Sequence, residues 1–90
     1  MDATLEHART LVAEHRWAEA HDAFAAADPS SLSGDDLTAF AEAAWWVSRL
    51  DEALDLRRRS YAWFESAGDD AGAAGAAARL AIEHFLRREP

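Results

Sequence analysis

An all-α fold of antiparallel helix-turn-helix repeats is what this 90-residue chain predicts, on three observations. The segment Arg16-Trp17-Ala18-Glu19-Ala20 returns, conservatively edited, as Arg49-Leu50-Asp51-Glu52-Ala53, an offset of 49 − 16 = 33 residues. Apolar residues recur at spacings of three and four, and no stretch alternates with period two. Helix-ending signals, Asp28-Pro29 and Gly68, fall between the periodic stretches. A repeat of this length is one helix pair that cannot bury its apolar face alone and stacks on its neighbours as an α-solenoid. Five helices follow: a repeat at 1–29, a second at 33–68, and the first helix of a third at 69–90, read as truncated.

The first helix is capped by Thr4 and runs to Glu14, with Leu5, Ala8, Leu11 and Val12 on one face. His15 and Arg16 make the turn. The second helix spans Trp17 to Ala27 on the stripe Trp17, Ala20, Phe24 and Ala27, and Asp28-Pro29 stops it, because proline drives the preceding residue out of helical geometry. After a polar loop from Ser30 to Gly34, Ser33 caps the third helix, with Asp36 placed three residues on as in a capping box. Its stripe is Leu37, Phe40, Ala41, Ala44 and Trp45. Ser48-Arg49 turns the chain into a fourth helix, Leu50 to Ala67, on Leu50, Ala53, Leu54, Tyr61 and Phe64. Gly68 supplies the left-handed residue that ends it. Asp69 or Asp70 caps a fifth helix reaching Arg88, whose Gly72 and Gly75 each weaken it by about 1 kcal/mol relative to alanine.

Net charge is −8, from 17 acidic against 9 basic residues, so the chain repels phosphate backbones and no nucleic-acid contact is expected. Without cysteine there is no disulfide and no thiolate metal site. No apolar run approaches the roughly 18–20 residues needed to span a bilayer, and no basic-then-apolar leader opens the chain. The expected address is the cytoplasm, with no membrane contact. Every basic residue is arginine and alanine abounds, a bias that points to a GC-rich bacterial genome.

The chain resembles the tetratricopeptide-repeat family over essentially its whole length. Small residues where paired helices touch are matched by Ala8, Ala41 and Ala81, and the large apolar residue before them by Phe40 and Leu80. Trp17 with Ala20, and Leu50 with Ala53, fill the start of each second helix. Phe24 and Ala27 match further on, where the second repeat departs with Arg57 and Ser60. The run Ala43 to Leu54, followed by Tyr61 and Ala67-Gly68-Asp69, is similar to the repeat regions of large bacterial LuxR-type transcriptional regulators. That likeness implies an N-terminal sensing or scaffolding segment whose DNA-binding module lies elsewhere in the chain.

The family's geometry implies a groove lined by Leu5, Arg9, Val12, Thr38, Glu42, Trp45, Trp46, Ile82 and Phe85. Its expected occupant is a protein or peptide, or another domain of the same longer chain. A structural segment that self-associates, as a homodimer through the fifth helix, is the other reading. Neighbours on a helix diverge by about 100°, so Trp45 and Trp46 cannot share one core, and Trp45 continues the stripe. Trp46 then looks outward as a binding anchor, unless it packs on an adjacent repeat. Arg57 falls on the stripe of the fourth helix, while Arg57-Arg58-Arg59 as a run reads as a solvated, ion-paired face. The histidines share no i, i+4 spacing that would hold a metal. No nucleophile–base pair, phosphate loop or carboxylate pair stands out, so neither an enzyme nor a cofactor is expected.

Overall fold

Two residues that lack glycine's freedom bend the backbone in the same way, 33 positions apart. His15 (φ 57°) and Ser48 (φ 66°) both take the left-handed conformation, which costs a side-chain-bearing residue roughly 1 kcal/mol. Around each, two hydrogen bonds close the preceding helix. The Arg16 and His15 amides donate to Leu11 and Val12 (2.9 and 2.9 Å), and the Arg49 and Ser48 amides to Ala44 and Trp45 (2.9 and 3.0 Å). Gly68 (φ 74°) repeats the device, with Asp69 and Gly68 donating to Phe64 and Glu65 (2.9 and 3.1 Å). The sequence repeat is therefore also a repeat of backbone conformation.

The computed structural model describes residues 3–88. They form α1 (Ala3–Ala13), α2 (Trp17–Ala25), a 3₁₀ turn at Pro29–Ser31, α3 (Gly34–Trp46), α4 (Leu50–Ser66) and α5 (Asp70–Arg88), with no strand among the described residues. The extents, 37 × 33 × 19 Å, make a slab about two helix diameters thick. No described helix is long and apolar enough to cross a membrane.

Thr4 lies inside the first turn of α1 and is not its cap; the capping position lies outside the described residues. Helix α2 ends two residues before the expected Ala27, and Asp28 takes an extended conformation (φ −65°, ψ 121°) ahead of Pro29, as proline demands. The Ser33–Asp36 capping box is complete: Ser33 Oγ accepts from the Asp36 amide, and the Asp36 carboxylate from the Ser33 amide, both at 3.2 Å.

Alanines let the helices close up. Ala8, Ala20, Ala41, Ala43, Ala44 and Ala53 are fully buried, and Phe24 stacks on Phe40 (5.4 Å, 17°) between them. Trp17 is only half-buried, touching the cluster of Leu11, Ala20 and Ala43, so it contributes less to the first repeat than its position suggested. Leu56, outside the expected stripe of α4, is in the core.

Helix α5 rests on α4 through Gly72, Ala73 and Ala76. Phe64 is wedged between two glycines: a Cβ on Gly34 would lie 2.7 Å from its ring and one on Gly72 2.4 Å. Gly72 thus exchanges helix propensity for close packing, whereas a Cβ on Gly75 would meet nothing. Ala81, expected at a helix–helix contact, is exposed.

Candidate interaction face

One side of α3 presents Asp35, Ala39, Glu42 and Trp46, four positions at helical spacing. Clefts flank this ridge on both sides. The first, about 370 Å³, lies toward α1 and is lined by Arg9, Val12, Ser33, Asp35, Asp36 and Ala39. The second, about 330 Å³, lies toward α5 and is lined by Thr38, Glu42, Arg57, Gly75, Ala76 and Arg79. Helices α1, α3 and α5 therefore contribute to one continuous face.

The first cleft is fixed by a fork. Arg9 donates from Nε and Nη2 to the two carboxylate oxygens of Asp36, both at 2.8 Å, joining α1 to the start of α3. The Arg9 guanidinium holds the buried Asp36 carboxyl below the usual carboxylate range; burial opposes the shift, and the Ser33 amide and hydroxyl assist it. Asp35 beside it is exposed and carries no ion-pair partner among the described residues.

The second cleft opens onto a network of charges spanning three helices. Arg57, 2% exposed, forks onto Glu83, 1% exposed, from Nε (3.2 Å) and Nη2 (3.1 Å). Its Nη2 also donates to Glu42 (2.8 Å) and its Nη1 to the Thr38 carbonyl (3.3 Å). Arg79 closes the ring, donating to Glu42 (3.0 Å) and Glu83 (3.2 Å). Two cations face two carboxylates, so the cluster is neutral. Burial pushes the Glu42 carboxyl up, but the Trp46 indole and the two guanidiniums outweigh it, and the net shift is downward. Arg57 thus corrects the expectation of a solvated run: only Arg58 and Arg59 are exposed. Below it, Ser60 Oγ pairs with Thr38 Oγ1 (2.8 Å) and the Gly34 carbonyl (3.3 Å).

Trp46 joins this network to the surface. Its Nε1 donates to Glu42 (3.1 Å), and its ring stacks on Trp17 (6.3 Å, 18°), which stacks on His15 (5.1 Å, 13°). The indole stays 57% exposed despite these supports, while Trp45 is half-buried against the main core.

The other groove residues divide. Arg9, Val12, Thr38 and Glu42 line the two clefts. Leu5 does not: at 5% exposure it belongs to the core cluster that also holds Phe24, Ala27 and Leu32. Trp45 is committed to packing. Ile82 and Phe85 are exposed on α5 but line neither cleft. Sequence reasoning missed the buried His21, whose Nε2 meets Glu52 of α4 at 2.5 Å and whose ring abuts Phe40 edge-on. Partners 31 residues apart give no periodic signal. Among the described residues no group of three or more His, Asp or Glu side chains is placed to hold a metal ion.

No protein-family model matches this chain, and no curated protein or solved structure matches it.

Proposed function

We propose that this chain is a protein-interaction module of the tetratricopeptide-repeat type, with a peptide or a neighbouring domain lying across α1, α3 and α5. The observation that carries the reading is Trp46, an indole that is solvent-facing yet held from two sides. Exposed aromatic side chains whose rotamer is already fixed lose little entropy on binding and are common interface anchors. The same ridge carries exposed Asp35 about three helical turns from Trp46, on a chain of net charge −8, so the ligand that fits is basic, with an arginine or lysine set against the indole face. The reading gives the chain no chemistry of its own. The repeat and the run from Ala43 to Leu54 support a sensing or scaffolding role inside a larger bacterial regulator.

Selection of random peptides displayed on phage against the immobilised chain tests the proposal. Basic peptides are expected to enrich, to shift amide resonances along α1, α3 and α5, and to lose about 30-fold or more in affinity on Trp46→Ala. Peptides that bind elsewhere and ignore Trp46→Ala would remove the basis for this face.

A further inference from the structure

Helix α4 outruns its counterpart in the first repeat. Moved on by 33 positions, the end of α2 at Ala25 falls on Arg58 (25 + 33 = 58), yet α4 continues for eight more residues to Ser66 (66 − 58 = 8). Phe64 of this overhang packs between Gly34 and Gly72. Arg59, Ala62, Trp63 and Ser66 instead form a separate, exposed stripe at helical spacing. That stripe is one wall of a cleft of about 390 Å³. The Pro29–Ser31 turn is the other wall, and the buried Leu32 and Leu37 line the floor. The cleft shares no residue with the two beside α3.

Its polar groups are unused donors above an apolar floor. Arg59 makes no ion pair among the described residues, although Asp55 lies one turn earlier on α4. Trp63 is 41% exposed, and neither its Nε1–H nor the Ser66 hydroxyl has a hydrogen-bond partner among the described residues. The indole is fixed all the same. It lies over Gly34, where a Cβ would come within 2.6 Å of its ring, and stands edge-on to Phe64 (5.4 Å, 87°). No carboxylate lines the cleft, whereas Asp35 and Asp36 line one of those beside α3 and Glu42 the other. Asp28, at the head of the turn, already accepts from the Ser30 amide (3.0 Å) and hydroxyl (2.9 Å). On a chain with 17 acidic and 9 basic residues, this cleft is suited to an anion.

We propose that the cleft binds a small organic monocarboxylate with an apolar body. The Arg59 guanidinium offers the carboxylate two parallel N–H donors. The body of the acid stacks on the Trp63 ring and covers Leu32 and Leu37. A bare phosphate would bring nearly two charges to a single guanidinium and leave the leucines uncovered. The volume falls in the range of small-ligand sites, roughly 300–1,000 Å³. Bound there, the acid joins the overhang of α4 to the turn between the repeats. Trp46 and its ridge take no part, so the site stands apart from the basic-peptide reading.

Titration with hydrocinnamate, followed by amide and indole NMR resonances, tests the proposal, with the uncharged hydrocinnamamide as control. The Trp63 indole N–H and the amides of Ser30–Leu32 and Arg59–Ser66 should shift and saturate, with a dissociation constant of about 1 mM or less. Hydrocinnamamide should bind at least about 10-fold more weakly, and so should hydrocinnamate to Arg59→Gln. Because Arg59 is exposed, that variant should keep its circular dichroism and urea midpoint. Arg49→Gln, which removes an exposed arginine elsewhere, and Trp46→Ala should both bind the acid as wild type does. Equal affinity for acid and amide in wild type would overturn the proposal without recourse to any variant. So would shifts centred away from Trp63, an equal loss in Arg49→Gln, or no saturation by about 20 mM.

Discussion

Removing one member of the Arg57–Glu83 pair should destabilise the chain severely, and removing both should not. Charges about 3.2 Å apart at an effective dielectric near 20 attract by about 5 kcal/mol, but the two groups are 2% and 1% exposed, and losing water offsets most of that gain. Arg57→Met leaves Glu42 and Glu83 sharing the half-exposed Arg79. Glu83→Leu leaves two guanidiniums on Glu42. Each single change strands a buried charge and should cost about 3–5 kcal/mol, a large part of the roughly 5–13 kcal/mol that holds a 90-residue domain together. In the double variant, Glu42 and Arg79 still pair with each other near the surface, and apolar side chains fill the interior. Its stability should return to within about 1 kcal/mol of wild type. Urea melts of the four proteins give the coupling directly. Part of the penalty can be relieved by releasing α5, whose apolar burial rests on Ala73 and Ala76, so the single variants should also lose amide protection first in Asp70–Arg88. Single variants within 0.5 kcal/mol of wild type, or a double variant as unstable as the two singles summed, would refute this account of the cluster.

Gly34→Ala should cost about 1–3 kcal/mol by overpacking Phe64 and Trp63, which its Cβ would meet at 2.7 and 2.6 Å, whereas Gly75→Ala, entering open space on a helix, should gain up to about 1 kcal/mol; equal effects in thermal melts would count against the packing described. Acid should unfold the chain through Asp36 and Glu42, whose carboxyls are held below their ordinary values in the folded state, so their contribution is present above the unfolded carboxylate range near pH 4 and is lost as pH falls through the lower folded values. Urea midpoints should therefore stay level from about pH 7 to 5 and decline below about 4.5, with a shallower decline in Asp36→Asn; a midpoint that rises on acidification would show that relief of the net −8 charge dominates instead.

What the sequence made legible was local. A serine three residues before an aspartate names a capping box, because both hydrogen bonds close within one turn. The divergence of Trp45 from Trp46 follows from 100° per residue and needs no partner. The turns at His15 and Ser48 could be placed by the repeat, but not their left-handed conformation, since neither residue is the glycine that advertises it. Leu5 shows the limit of borrowed geometry. A position that lines a groove in the family's pattern is buried here, in a core cluster whose members outside α1, Phe24 and Leu32 among them, lie 19 or more residues away in sequence.

The charge network lay beyond periodicity, because Arg57 finds its carboxylates 15 and 26 residues away, yet the repeat contained a sign of it. Phe24 and Ala27 of the first copy correspond, 33 positions on, to Arg57 and Ser60 of the second. A buried phenyl ring and methyl group have become a buried guanidinium and hydroxyl, and polar groups at such positions demand polar partners on the helices packed against them. Those partners are Glu42 and Thr38 on α3 and Glu83 on α5. Glu42 in turn orients Trp46. The substitutions that spoil the repeat are therefore what tether α5 and set the exposed indole, so departures between copies of a repeat point to the residues given a task that the first copy does not share.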